Sequence, residues 1–455
     1  MGPPAPERRA RAPGAVIAPV LYLPVEETKR ELTSRLLIAC FAAERGITSV
    51  IGQQWLLGHN LEHVPRGLVL FKGNDALQTH NMMFAKQSGH VTAAFEEEMF
   101  GVCTRNQILR LYDPGAIDAC NLILAQGGFQ HEILAERHPR AAERIRIVGN
   151  PRADLLSSAF REIHRSAAED IQAHHGRFIL VNTNFGTVNA SIGNVFDSFD
   201  VCARIGLMDA ATEQGRADFN EWCGWERLNF GAIVRFVDWI ERNLPDLAIV
   251  LRPHPSENSD FWRRGYANHP RVRVEVDGSF IPWLLASAIL IHTGCTTGME
   301  AFMMGHPAVS LTPPGTHWHA HYLSNRVNPA FADASVAGQF VAAELGGAGR
   351  IAAGRADAMA ELDRHVAISS SKLSAERTVE AMLPFFGSIK SQLWRPGRGF
   401  VASIDRHPRQ IDKMNANLND VSAELHDIAR VFGRFQRVYA RAIGDALFCI
   451  DPVIS

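Results

Sequence analysis

The sequence predicts an α/β protein with two Rossmann-like units facing a central cleft, followed by a helical C-terminal extension. Three observations carry this. From Ala15 onward short apolar runs alternate with longer amphipathic stretches, the strand, helix, strand rhythm of an open and mostly parallel sheet. The rhythm breaks after Gly149 and starts again at Phe178. The length, 455 residues, accommodates two large domains plus an appendage at roughly 150 residues per domain. Hydrophobic residues make up 46% and charged residues 21%, a composition that excludes a disordered or fibrous chain. A formal net charge of −2 leaves no global basic surface for a nucleic-acid backbone, so any nucleotide partner is expected to be small.

Residues 1–14 hold Pro, Gly, Ala and three arginines but no apolar core segment, and read as a flexible tail rather than a signal peptide. Val16 to Leu23 reads as a buried strand ended by Pro24. Apolar residues at Leu32, Leu36, Ala39, Cys40 and Ala43 then space a helix over Glu26 to Arg45, closed by Gly46. Strands over Thr48–Gly52, Gly67–Phe71, Val91–Ala94, Leu122–Ala125 and Arg144–Val148 complete a first domain, 15–170, whose last part (Ala153 to His175) is a polar helical connector. A second domain, 171–370, opens with Phe178–Val181. It continues through a helix from about Phe230 to Asn243, strand Ala248–Leu251, short helix Phe280–Ser287, strand Ile289–His292, helix Thr296–Met304 ended by Gly305, and strand Ala308–Leu311.

The remainder, 371–455, reads as a return helix and a helical extension broken at Pro396–Gly399. A helix is expected over Asp427–Phe448, with Arg430, Arg434, Arg437 and Arg441 on the face opposite its apolar positions. Such a stripe fits a packing or homo-oligomerisation helix, or peripheral contact with anionic membrane lipid. The seven cysteines are scattered and contain no C-x-x-C pair, which argues against a disulfide framework and a structural zinc site. No run approaches the roughly 18 unbroken apolar residues of a membrane span. The expectation is a cytoplasmic chain, at most peripheral to the inner face of the membrane.

Chemistry is expected at strand ends, where open α/β sheets bind ligands. In Arg252–Glu257 two prolines fix the backbone, so His254, flanked by Pro255 and with Arg252 beside it, is presented rigidly and suits a phosphate. The alternative is a histidine that ties a loop to its neighbours. In His292–Glu300 the glycines Gly294 and Gly298 let a ligand approach the backbone, while Thr296, Thr297 and the free N–H groups of the helix start face an anion. Glu300 is either the second half of a capping box or a partner for a ribose hydroxyl. Asn184, after the first strand of the second domain, joins this nucleotide-binding set.

In the first domain Glu96, Glu97 and Glu98 follow a strand, and whichever points into the cleft would be desolvated, as a general base or nucleophile requires; a solvated acidic loop is the alternative. Lys72 is a further charged candidate for the rim, while Glu26, Arg30 and Glu31 show ordinary helix-surface spacings. His317, His319 and His321 alternate as they would on one side of an extended segment, but no interleaved acid or cysteine supports a metal site, and a loop lining the sugar or nucleotide pocket fits better. No G-x-G-x-x-G, Walker A, G-x-S-x-G or H-E-x-x-H pattern occurs.

Taken together, Leu23–Leu32, Arg35–Ala39, Glu44–Gly46, Gly67–Lys72, Glu96–Glu98 and Gly149–Asp154 resemble bacterial surface carbohydrate biosynthesis proteins, related to GT-B glycosyltransferases that use CMP-activated ulosonic acids. The resemblance runs to about residue 385. It implies a GT-B-like fold and a CMP site in which His254-Pro255 and the hydroxyl pair Thr296-Thr297 hold the nucleotide. It also implies an acidic residue of the first domain acting at the sugar: Glu97, then Glu98 and Glu96. The acidic motif departs from that group's pattern, because Met99 and Phe100 intervene before Gly101. Catalysis without a metal or separate cofactor is implied as well.

The function expected on this basis is transfer of Kdo or a related ulosonic acid from a CMP-sugar donor to a glycan or glycolipid acceptor in capsule or lipopolysaccharide synthesis. Negative charge on the departing phosphate would be met by Arg252, His254 and the threonine turn. Inversion and retention both remain open. The alternatives are an enzyme resembling UDP-N-acetylhexosamine 2-epimerases, a CDP-polyol phosphotransferase, and a catalytically decayed scaffold of a polysaccharide assembly complex.

Overall fold

A computed structural model describes residues 16–17, 19–191, 193, 195–204, 209, 211–368, 371–389, 393–394, 399–404 and 413–452. The tail expected at 1–14 and most of the break at 396–399 lie outside the described residues. Two Rossmann-like α/β domains face a central cleft. The first is built on strands β1 (Val20–Val25), β2 (Thr48–Gln53), β3 (Leu68–Phe71), β4 (Val91–Phe95), β5 (Leu122–Ala125) and β6 (Ile145–Ile147), all parallel in the order β2-β1-β3-β4-β5-β6. The first five of these strands are buried along nearly their whole length, which is why they read as continuous apolar runs rather than alternating ones.

Pro24 does not end β1, which runs on to Val25 with Pro24 opposite Gly52. The ladder from β1 to β3 stops at Tyr22, so a residue without an N–H is tolerated beyond that point. Helix α1 (Thr28–Glu44) packs Leu32, Leu36 and Ala39 onto this sheet.

The second domain carries β7 (Phe178–Asn182), β8 (Ala248–Arg252), β9 (Val272–Val274), β10 (Ile289–His292), β11 (Ala308–Leu311) and β12 (Ala330–Phe331), parallel in the order β9-β8-β7-β10-β11-β12. The connector is helix α2 (Ser158–His175). The helix expected from Phe230 begins much earlier, as α3 (Glu213–Asn243), because the apolar face continues through Phe219, Cys223 and Trp225. Helix α4 (Thr296–Met304) follows β10 and ends at Gly305, whose φ of 68° is the left-handed cap. Helix α5 (Ser374–Phe386) returns to the first domain, where Ala375, Val379 and Met382 join its core. Asp154 fastens that return by accepting from the backbone N–H groups of Ser374 (2.9 Å) and Ala375 (2.8 Å).

The C-terminal extension corrects the expected helix over Asp427–Phe448. Helix α6 covers Leu418–Phe432 and is stopped by Gly433 at φ 58°. The chain then forms a hairpin, β13 (Tyr439–Gly444) and β14 (Leu447–Asp451). β14 is wholly buried and pairs antiparallel with β2, closing the edge of the first sheet. Apolar spacing over a short run fits both periods, and the available sheet edge decides the outcome. The arginine stripe therefore does not form. Arg430 pairs with Asp427 (2.8 Å), Arg434 with Glu44 (2.7 Å) and Arg441 with Asp451 (2.6 Å), and Arg430, Arg434 and Arg437 remain on the surface. Among the described residues no helix is long and apolar enough to cross a membrane.

Candidate functional site in the interdomain cleft

On one side the domains are stitched by backbone. Cys103 N donates to His321 O (2.9 Å), Leu323 N to Gly101 O (2.7 Å), and Val102 bridges Tyr322. On the second domain's wall, β8 runs into Pro253-His254-Pro255. The His254 ring keeps solvent access while lying among protein groups whose bulk lowers its pKa; Glu257 works against that shift, Arg30 adds to it, and Glu98 opposes it. Two of those charges belong to the first domain, so the imidazole looks across the cleft. Arg252 departs from expectation. Its guanidinium donates to Asp277 O (2.8 Å) and Gly278 O (3.0 Å) and stacks over Trp283, with burial lowering its pKa to about 10. It braces the neighbouring loop.

The turn after β10 forms as its glycines demand. Gly294 sits at φ 107°, and a Cβ there would come within 3.0 Å of the Asn325 amide. A Cβ on Gly298 would lie 2.4 Å from His292 Nε2. His292 itself is fully buried, and that burial drops its pKa to about 3, so it is neutral. Thr296 is exposed at the first position of α4, while the Thr297 hydroxyl sits 2.7 Å from Cys295 Sγ. The capping box does not form, because the N-cap is Cys295 and Glu300 lies a turn further in. Glu300 instead pairs across the domains with Arg152 (2.8 Å). Pro255 is exposed beside the histidine, and Asn184 is half-buried in the loop after β7.

The three glutamates of the first domain occupy three environments. Glu96 is buried; its carboxylate accepts from Asn74 N (2.8 Å) and Glu98 N (3.3 Å), and burial raises its pKa to about 8. Glu97 is buried against the equally buried Arg35 at 3.0 Å. Glu98 alone has an exposed side chain. Burial of its surroundings would raise its pKa, but Arg30 at 2.7 Å and then Lys72 overrule this and hold it below the usual carboxylate range.

Arg30 is the residue that spacing missed, since its i, i+4 relation to Glu26 looks like any helix surface. It also contacts Glu31 (3.3 Å). Lys72 pairs with Glu26 and, at 3.5 Å, with Glu31; Glu26 also meets Lys413 (2.6 Å) from the C-terminal extension. Lys72 and Lys413 together outweigh the effect of burial and bring the Glu26 pKa down to about 2. Charge further links the walls, since Glu300 feels Arg152 and Arg30, and Glu98 feels Arg152. His254, Glu98, Arg30, Arg152 and Glu300 are thus linked by charge, and Glu97 lies within electrostatic reach of Arg30.

The histidines at 317–321 lie at a single 3-10 turn (Trp318–His321) rather than along an extended strand. His317 meets Glu221 (2.7 Å), His319 meets Trp225 Nε1 (3.2 Å), and His321 meets Thr104 (2.6 Å). Among the described residues no group of three or more His, Cys, Asp or Glu side chains is arranged to hold a metal ion.

No family model matches the chain, and no curated protein does. Solved structures of similar architecture include a UDP-GlcNAc 2-epimerase from Neisseria meningitidis bound to UDP-GlcNAc (12% identity, 80% of this chain and 99% of that one, TM-score 0.49). Another is the Methanocaldococcus jannaschii UDP-GlcNAc 2-epimerase in complex with UDP-GlcNAc and UDP (10% identity, 80% and 99%, TM-score 0.46). A third is Anabaena Alr3699/HepE in complex with UDP and glucose (9% identity, 80% and 99%, TM-score 0.43).

Two Rossmann-like domains facing a cleft are the GT-B-like arrangement. The narrower expectation of a CMP-dependent glycosyltransferase acting on Kdo is corrected. These structures carry UDP or UDP-GlcNAc, and two of the three are epimerases.

Proposed function

We propose that the protein is a nucleotide-sugar enzyme that acts on a UDP-activated N-acetylhexosamine in the cleft, in the manner of a 2-epimerase. The observation that carries this reading is the pairing of Arg30 with Glu98 on one wall, within electrostatic reach of His254 on the other. Inverting C2 of such a sugar means removing a proton that no adjacent carbonyl acidifies. The C1–O bond to the nucleotide must therefore break as the proton leaves, and its electron pair goes to UDP. The departing diphosphate gathers negative charge, which His254, Arg30, the N–H groups at the start of α4 and the Thr296 and Thr297 hydroxyls are suited to meet.

Glu98, held ionised by Arg30, is the carboxylate placed to exchange the C2 proton. Return of a proton to the other face and re-addition of UDP balance the reaction. In this reading residues 15–170 hold the sugar, residues 171–370 hold the nucleotide with Gly294, Pro255 and Asn184 shaping its site, and 371–455 ties the two together. The Arg152–Glu300 pair spans that division.

Incubation with UDP-GlcNAc in D2O, without acceptor, should give the C2 epimer with deuterium at C2, read by NMR. A parallel thermal-shift panel should show stabilisation by UDP, through mass action, and none by CMP, CDP or GDP. Selective stabilisation by a cytidine nucleotide, or absence of C2 exchange, would overturn the proposal.

A further inference from the structure

His254 sits in a turn whose partners are unusually complete, and the function read above does not use them. Glu257 is buried and accepts four donors: Thr183 Oγ1 (2.6 Å), Trp262 Nε1 (2.9 Å), the His254 backbone N–H (3.0 Å) and Asn189 Nδ2 (3.3 Å). Every one of these is a group that can only donate or is free to do so, so the carboxylate fixes the backbone of the histidine itself. The Ser256 backbone N–H donates to His254 Nδ1 (3.2 Å), and the Ser256 hydroxyl lies 2.7 Å from the same nitrogen. A backbone N–H cannot accept, so Nδ1 is the unprotonated nitrogen and the ring proton of the neutral imidazole is on Nε2.

The loop after β7 is shaped around this turn. Ser191 N donates to Ser256 O (2.7 Å), and a Cβ on Gly186 would lie 2.1 Å from Ser256 Oγ. Glycine at 186 is therefore what lets Ser256 reach the ring, which explains a loop residue whose purpose the sequence pattern does not reveal.

We propose that Ser256 and Glu257 are positioning residues which, buttressed at Gly186, lock His254 as the Nε2–H tautomer, so that it meets the leaving diphosphate as a neutral hydrogen-bond donor. This rests on the functional reading for its last clause only; the tautomer is a property of the free protein. The test is long-range 1H–15N correlation NMR of the ligand-free full-length chain at pH 7.5, with His254 assigned by the signals lost in His254→Gln.

The wild type should show a pyridine-type Nδ1 and a protonated Nε2. Glu257→Gln places a donor among donors, and should mix the tautomers and lower kcat about tenfold, the value of one hydrogen bond, with KM little changed. Gly186→Ala should shift the same signals by displacing Ser256, and carries the test if Glu257→Gln does not fold. A protonated Nδ1 in the wild type, or a folded Glu257→Gln or Gly186→Ala variant with wild-type spectrum and kcat, overturns the proposal. The expected spectra in a protein without C2 exchange would instead sink the functional reading and leave the positioning intact.

Discussion

Replacing Glu97 by glutamine separates two roles that the three adjacent carboxylates make easy to confuse. Arg35 and Glu97 have side chains only 1% and 3% exposed and meet at 3.0 Å. Arg35 Nε and Nη2 and Glu97 Oε2 have no hydrogen-bond partner, so these atoms are held by the attraction of the two charges. Removing one partner of such a pair leaves a buried charge uncompensated, at a cost of about 3–5 kcal/mol. In a unit of roughly 150–250 residues each kcal/mol moves the melting temperature by about 2–4 °C, so Glu97→Gln should lower Tm by on the order of 6–20 °C. Scanning calorimetry of the purified variant reads this directly. The double variant Arg35→Met/Glu97→Leu, which removes both charges and keeps the volume apolar, should recover most of the loss. A Glu97→Gln protein that melts within about 2 °C of the wild type while losing turnover would refute this reasoning and return Glu97 to the chemistry.

Glu98→Gln should behave oppositely. Its ion pair with Arg30 is solvent-exposed and worth at most about 1 kcal/mol, so Tm should hold while C2 exchange falls by about 100-fold or more. Glu96 predicts a pH effect. Its folded pKa is raised from 4.5 to about 8, so the stability it contributes is fully present below the ordinary carboxylate pKa and is lost as pH rises through about 8. Tm should therefore decline from about pH 4.5 to about pH 8 and level off above that, and Glu96→Gln, which cannot ionise, should flatten the decline. Truncation after Gly433 removes β14, whose Leu447, Phe448 and Ile450 are each worth about 1.5–3 kcal/mol of burial, and bares the edge of β2. The shortened chain should aggregate on expression, which sedimentation of the lysate would show.

Much of the architecture was legible because it is written locally. The strands Leu122–Ala125, Ile289–His292 and Ala308–Leu311 and the helix Thr296–Met304 are bounded as their apolar runs and flanking glycines demand. So were the two turns that bring His254 and the start of α4 to the carboxyl ends of their strands. Residues 434–451 were not, because their apolar spacing suits a helix face and a buried hairpin alike, and only the vacant edge of β2 selects the hairpin.

The functional roles divide along the same line. Sequence alone determined that a rigid histidine turn, a glycine-threonine turn and an acidic run would stand at strand ends. Which guanidinium faces the cleft was decided by the tertiary structure: Arg252 is captured by the Asp277 and Gly278 carbonyls, while Arg30 reaches Glu98 from a helix 68 positions away. The same holds for Glu96, Glu97 and Glu98, identical in chemistry and adjacent in the chain. Their surroundings are set by Asn74, Arg35 and Arg30, partners that only folding brings within 3 Å or so. A carboxylate's function depends on its solvation and its nearest countercharge, and neither is a local property of the sequence.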